Sequence, residues 1–330
     1  MFSFINRTNR LKFKFELSKG ICAILPPIFS QSVRNRIISI KEGEVLKLGF
    51  KKRSLTGSCF FGNTSDFHAF KFAIHGYFDW RNIVLAKKLF QIKPGNIIEV
   101  GANIGTETIS YADITSQLNY KTLAFEPLPS NFSILEKNKV LNKLDNLEIF
   151  DCLVSDKNGL INFKIPAGNN SGSGHIVQDT EKTLTDLIKI PVSSLDELIP
   201  QENISIIFID VEGMEFQVIK GALNLIRTNR PSIVLEVNRK FLENRGQTSV
   251  SELMQLFNSL SYNCYYINRF SIERVDKKKL KVNKNKNWIC IPKEESKTIN
   301  KLRYSLLKMM VNPFTNFGTI IKASLSKTHL

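Results

Sequence analysis

The chain has 330 residues, enough to bury a large core, and its 42% hydrophobic and 10% aromatic content is that of an ordinary globular protein. No stretch approaches the ~20 unbroken apolar residues of a membrane span, and five scattered cysteines (Cys22, Cys59, Cys152, Cys264, Cys290) without a CxxC pair argue against a disulfide framework or a thiolate metal site. The net charge of +16 sits at the two ends: residues 1–53 hold 12 Lys/Arg against 3 Asp/Glu, residues 271–330 hold 14 against 4, and the stretch between is nearly neutral.

Residues 1–80 mix aromatic and basic side chains without a clear period and read as an N-terminal arm and cap. Within them Ile21 to Phe29 is the best leader candidate, but it is short, holds Pro26 and Pro27, and follows a long charged lead. Together with the cysteine usage this points to the cytoplasm. From Asn96 the chain alternates short β-rich runs with helical patterns, the signature of an α/β fold with a mostly parallel sheet and helices on both faces. Strands are expected over 96–100, 121–125, 147–150, 204–209 and 232–237. Runs at 262–267 and 288–291 suit a closing antiparallel hairpin, making about seven strands. Helices are expected over 104–118, 130–141, 195–199, 215–228 and 250–260. Ser194 and Glu197 stand at capping-box spacing, a structural cause sufficient for that run. Residues 159–163 read as a small inserted strand and 167–174 as a Gly/Asn/Ser loop. The resulting division is a cap (1–80), a Rossmann-like domain (81–295) and a basic extension (296–330).

In that extension Leu302, Leu306, Met309 and Met310 lie near one helical face with Lys301, Arg303 and Lys308 around it, and Ile320, Ile321 and Leu325 continue beyond Pro313. The face suits either packing back on the domain or peripheral attachment to the anionic inner surface of a membrane. Basic arms also attract nucleic acid, or simply stay solvated. An RNA-directed protein would carry the charge across its core, so nucleic acid is not the expected partner. The four histidines, His68, His75, His175 and His329, do not stand at metal-ligand spacing, and no metal is expected.

Three runs carry chemistry. In Ile97-Ile98-Glu99-Val100-Gly101-Ala102-Asn103-Ile104-Gly105 an apolar strand ends in an acid and a glycine-bearing turn opens a helix. A dinucleotide turn would have a further glycine and would seat a pyrophosphate. Glu99 would repel a phosphate and suits an ammonium, such as the methionine moiety of S-adenosylmethionine presents. The second run, Lys121-Thr122-Leu123-Ala124-Phe125-Glu126-Pro127, puts an acid at the end of the next strand, where a carboxylate can accept from both hydroxyls of a ribose; capping the following helix is the structural alternative. The third, Ile209-Asp210-Val211-Glu212-Gly213-Met214-Glu215, delivers Asp210 at a strand end, where open α/β sheets bind ligands. Three acids in six residues exceed what one cap needs; one or two would orient a hydroxyl, act as general base or bind a divalent ion. His175, after Gly172-Ser173-Gly174, is an alternative base, with a solvated loop histidine as the plain reading. His75 reads as a packed residue.

These runs resemble the FkbM family of methyltransferases. The matching segments are Glu-Val-Gly-Ala-Asn-Ile-Gly, Phe-Glu-Pro-Leu-Pro-Ser-Asn-Phe, Leu-Val-Ser-Asp-Lys-Asn-Gly, Val-Ser-Ser-Leu-Asp-Glu-Leu, Ile-Asp-Val-Glu-Gly-Met-Glu and Pro-Ser-Ile-Val-Leu-Glu, in order from about residue 95 to 237. Two positions depart: Phe208 stands where the family usually has Lys, and Glu99 where it often has Asp. The resemblance implies a Rossmann-like class I methyltransferase sheet, S-adenosyl-L-methionine as cofactor and O-methylation of a sugar or related metabolite hydroxyl. It implies that Glu99, Gly101, Ala102, Asn103 and Gly105 surround the methionine end and that Glu126, with Pro127, meets the ribose. Asp151 would meet the adenine, with Cys152 or Ser155 as alternatives, and Asp210 and Glu212 would face the methyl-transfer centre. A dinucleotide-dependent oxidoreductase, an RNA methyltransferase and a non-catalytic protein that kept the fold are the competing readings.

Overall fold

A computed structural model describes residues 2–164, 175–176, 187–200, 202–275 and 286–312. Three helices come first, α1 (Phe2–Ala23), α2 (Pro27–Ile37) and α3 (Ile40–Leu46), then a hairpin of β1 (Gly49–Arg53) and β2 (Cys59–Asn63), then α4 (Phe67–His75) and α5 (Trp80–Ile92). The first half of the main sheet runs β3 (Asn96–Val100), α6 (Thr108–Thr115), β4 (Thr122–Phe125), α7 (Pro129–Asn142) and β5 (Leu147–Phe150). A side sheet follows, with β6 (Leu153–Val154), β7 (Gly159–Lys164), β8 (His175–Ile176) and β9 (Leu187–Ser193). The chain returns through α8 (Leu195–Leu198), β10 (Ile204–Ile209), α9 (Glu215–Lys220), α10 (Leu223–Asn229) and β11 (Ser232–Val237). It ends with α11 (Arg239–Asn244), α12 (Val250–Ser259), β12 (Tyr262–Ile267), β13 (Ile272–Arg274), β14 (Lys286–Pro292) and α13 (Thr298–Met310).

The main sheet has eight strands in the order β13-β12-β14-β11-β10-β3-β4-β5. Strands β11, β10, β3, β4 and β5 are parallel, while β14 slots antiparallel between β11 and β12. This is the Rossmann-like arrangement of class I methyltransferases, with β13 added at one edge. Every residue of β3, β4 and β10 is buried, as expected of parallel strands covered by helices on both faces. The order of strands reverses between β3 and β10, which opens a crevice at their carboxyl ends.

Two helix boundaries differ from expectation for local reasons. The helix expected from Ile104 starts at Thr108, because Asn103 (φ 52°) and Gly105 (φ 86°) are left-handed and cannot belong to it. The helix expected over 215–228 breaks into α9 and α10 at Gly221, where a Cβ would stand 2.0 Å from the Ser155 carbonyl oxygen. Ser194 caps α8, and Asp196 of the same run receives the amide N–H groups of Asn224 and Leu225 at the start of α10. Cys264 and Cys290 face each other across β12 and β14 as free thiols, a pairing their 26-residue separation does not suggest.

The described part of the basic extension, through residue 312, packs on the domain. Leu302 and Leu306 of α13 enter the same core as Ile83 and Leu89 of α5, with Met309 and Met310 packed against it. That apolar face is therefore occupied by protein. Ile320, Ile321 and Leu325, like the 167–174 loop, lie outside the described residues. Among those described, no helix is long and apolar enough to cross a bilayer. Since Leu302 is fully buried, Leu302→Ala should lower unfolding free energy by about 2–5 kcal/mol. Urea denaturation should register this as a lower midpoint at unchanged slope; an unchanged midpoint would mean the helix is not integral.

Candidate active site at the strand ends

A cleft of about 480 Å³ lies over the carboxyl ends of β3, β4, β10 and β11. Its floor is Glu99 and the Gly101-Ala102-Asn103 turn. One wall is Phe125 to Leu128 with Cys152 and Leu153, and the opposite wall is Asp210, Glu212, Met214, Glu236 and Asn287. The roof comes from α4 and the start of α5: Phe67, His68, Lys71, Phe78, Asp79 and Asn82.

The turn after β3 is clamped from both sides. The amide N–H groups of Gly101 and Ala102 both donate to the Phe125 carbonyl oxygen at 3.0 Å, while the Asp210 N–H donates to the carbonyl oxygen of Val100 at 3.0 Å. A Cβ on Gly101 (φ 88°) would lie 2.0 Å from the Asp210 carbonyl oxygen, so glycine is required there by the backbone of the neighbouring strand. At Gly105 a side chain would meet Leu135 of α7; Gly105 is a packing glycine and does not line the cleft.

Glu126 is held in a fixed orientation. Its Oε2 accepts from the Asn103 N–H (2.8 Å), and its Oε1 accepts from the Leu128 N–H (3.0 Å) and Asn131 Nδ2 (3.1 Å). It thus anchors the entry to α7, as a capping residue would, yet it also lines the cleft. Burial raises its pKa to about 7 against these donors, which lower it. Glu99 is buried at 6% exposure, and its Oε2 has no partner. Burial, then the nearby Glu107 and Glu126, raise its pKa well above the ordinary range.

The Asp-Val-Glu-Gly-Met-Glu run separates its three acids. Glu215 turns inward and accepts from the Gly213 N–H at 3.0 Å, capping its own turn. Glu212 adopts a left-handed φ of 54° and is tied by Arg245, whose Nη1 donates to both its carbonyl oxygen and its Oε2. A side chain on Gly213 would collide with the backbone of Phe241, so α11 seats directly on this turn. Asp210 has a raised pKa, first from the enclosing walls and then from Glu236, Glu212, Glu215 and Glu107. Its side chain still reaches water in the open cleft. The crowding of carboxylates therefore acts at all times, and desolvation becomes complete only when a ligand closes the cleft.

Several cleft residues escape sequence reasoning. Glu107 accepts from the Asp79 N–H (3.2 Å), Asn82 Nδ2 (3.0 Å) and the Tyr111 hydroxyl (3.1 Å), and burial lifts its pKa to about 7. Tyr111 stacks on Phe208, which fills the position where the family usually has lysine. His68 accepts from Asn103 Nδ2 at 3.3 Å, and burial lowers its pKa to about 4, so it is neutral. Lys71 holds its Nζ 4.3 Å from the rings of both Phe67 and Phe78, and burial lowers its pKa to about 8. The only signal for these residues is their helical spacing, which the core-facing side of α4 shares.

Other expected residues lie elsewhere. Asp151 is exposed outside the cleft and Cys152 lines it. Pro127 lines it beside Glu126. His175 pairs with Lys164 between β8 and β7, and its side chain lies outside the described residues. His75 is buried beside Tyr77, and burial holds its pKa well below the usual value.

A family model described as the methyltransferase FkbM domain matches residues 99–264, half of the chain. The chain belongs to this family. The family is one of methyltransferases, and the cofactor is S-adenosyl-L-methionine. The matched range starts at Glu99 and so contains the floor and both main walls except Asn287, while the roof precedes it. Among solved structures the chain is similar to a methyltransferase FkbM from Methylobacillus flagellatus, at 12% identity and a TM-score of 0.39, over 85% of this chain and 59% of that one. It is also similar to an O-methyltransferase from Bacillus cereus in complex with SAH, at 14% identity and a TM-score of 0.38, over 65% of this chain and 81% of that one. The chain thus spans about three fifths of the length of the first. No curated protein matches the chain.

The cleft residues fit the cofactor. The unpartnered Glu99 Oε2 offers a buried acceptor to an ammonium, and Glu126 Oε2, which accepts from one donor where Oε1 accepts from two, keeps lone-pair capacity for a ribose hydroxyl. Hydroxyl donors favour the ionised carboxylate, so affinity should follow Glu126 deprotonation. With a free-state pKa of about 7, affinity for S-adenosylmethionine should drop about tenfold between pH 8 and pH 6. Calorimetry at both values tests this, and a pH-independent affinity would remove Glu126 from the ribose contact.

Proposed function

We propose that this FkbM protein is an O-methyltransferase whose acceptor is a hydroxyl of a sugar, in a glycan or its precursor. The observation that carries the reading is the two-sided composition of the cleft beyond the cofactor floor. Phe67 and Phe78 offer ring faces from the roof, and Asp210, Glu212, Glu236 and Asn287 offer acceptors and an amide from the wall. Aromatic faces pack against the C–H faces of a pyranose, while carboxylates and amides accept from its hydroxyls. The same wall of carboxylates would repel a phosphate-rich acceptor, which disfavours RNA.

Methyl transfer from a sulfonium is an in-line displacement, and the bound cofactor supplies the electrophilic methyl group. The chain's contributions are position and proton removal. Glu99 would hold the ammonium, with the Gly101-Ala102-Asn103 backbone beside it, and Glu126 would fix the ribose. Cys152 is the wall residue available to the adenine end, where Asp151 is out of reach in the present arrangement. Asp210 would accept the hydroxyl proton; its raised pKa makes it a stronger base than an ordinary aspartate. Glu212, pinned by Arg245, would orient the acceptor. His175 is the alternative base.

Asp210→Asn keeps the shape and removes the charge, so transfer of labelled methyl to sugar acceptors should fall by roughly 10²- to 10⁴-fold with cofactor affinity little changed. Activity that survives in Asp210→Asn and collapses in His175→Ala would assign the base to the histidine.

A further inference from the structure

The first helix carries two opposed apolar faces. Counted at about 100° per residue, Leu11, Phe15, Ser18 and Cys22 form one stripe, which is buried against Phe70, Ala73 and Ile74 of α4. Phe13 and Leu17 lie on the opposite side, Ile24 follows just past the end of the helix, and all three are solvent-exposed, from 42% at Leu17 to 68% at Phe13. Phe29 at the start of α2 is exposed beside the end of this stripe. Arg7 and Arg10 line one flank; on the other stand Lys12 and Lys19, with Lys19 paired to Glu16. Helix α13 repeats the pattern outside the face it buries. Tyr304, Leu307 and Val311, at spacings of three and four, are exposed next to Lys301 and Lys308. Both helices pack against α2, and the exposed stripe of α1 lies on the side away from α4.

We propose that this side is a docking surface for an anionic lipid membrane, with Phe13, Leu17 and Ile24 entering the interfacial region and the flanking Arg and Lys residues meeting lipid phosphates. Charge selects this occupant. A second copy of the chain would bring like-charged flanks together, and a nucleic acid would leave the apolar stripe unburied. A monolayer of anionic lipid satisfies both the apolar centre and the basic flanks of an interfacial helix. Docking on α1 also has a geometric consequence. Helix α1 rests on α4, and α4 supplies Phe67, His68 and Lys71 to the cleft roof. The bound surface would thus hold the acceptor side of the cleft one helix away from the lipid. None of this depends on the identity of the acceptor.

The test is sedimentation of the full-length protein with phosphatidylcholine vesicles, with and without about a third phosphatidylglycerol, at low and high salt. Binding is expected only to the anionic vesicles, with release at high salt. The triple variant Phe13→Ser, Leu17→Ser, Ile24→Ser alters only exposed positions and should keep the wild-type melting temperature, while partitioning falls at least about tenfold. Replacing Arg7 and Arg10 by Ser should weaken it about fivefold per residue. Absence of binding to anionic vesicles at low salt would overturn the proposal, as would a triple variant that binds like the wild type. Concentration-dependent self-association without lipid, abolished in the triple variant, would also overturn it, by assigning the surface to a second copy. So would tighter binding of RNA than of vesicles at equal salt.

Discussion

Two carboxyl groups ending adjacent parallel strands, inside the protein and without a paired cation among the described residues, set the terms for the rest of this site. Glu99 and Glu126 are each at most 6% exposed. A carboxylate removed from water is unfavourable unless hydrogen-bonded or paired. Glu126 meets that demand with three donors, and Glu99 leaves one oxygen unmatched. The surrounding fold enforces this arrangement. The Phe125 carbonyl oxygen takes both N–H groups of the turn, and the Asp210 N–H donates to the Val100 carbonyl oxygen, so the backbone that carries both acids is fixed by the sheet. A cationic, hydroxyl-bearing ligand is the missing counterpart, and the family's cofactor has both features.

The same constraint explains the cluster of raised pKa values around the cleft. Glu99, Glu107, Glu126, Asp210 and Glu215 are all raised, and burial is the first cause for each. Arg81 is committed to Asp79, and Arg245 to Glu212, so neither neutralises the group. Phe208 stands where the family commonly has lysine, and its ring stacks on Tyr111. The cations of the cleft lining, Lys71 and Arg81, lie in the roof.

Much of the central sheet was legible in the residues. Strands β3, β4 and β10 are uninterrupted apolar runs ending in acids, and a buried parallel strand needs no alternation to announce itself. Asp210 and Glu212 could be separated from Glu215 only with coordinates, because a strand end, a left-handed residue and a helix start follow within six positions. The side sheet was nearly invisible, since β6 and β8 are two residues each and pair across long gaps. Helix α1 was illegible for another reason: apolar faces on opposite sides cancel the periodic signal that marks an amphipathic helix. Asp79, Asn82 and Glu107 converge from a separation of up to 28 residues, because α5 packs against α6. Only the fold brings them together.

The proposal that Glu99 is kept buried for a ligand and not for the fold is central, and one measurement addresses it directly. Calorimetric titration of S-adenosylmethionine into the wild type and into Glu99→Gln, with the melting temperature of each ligand-free protein recorded in parallel, separates the two roles. Removing a buried ion pair between the cofactor ammonium and the carboxylate should reduce affinity by about thirtyfold or more, while the ligand-free melting temperature stays the same or rises. Equal affinities, or a variant that unfolds at a markedly lower temperature without ligand, would contradict this role for Glu99.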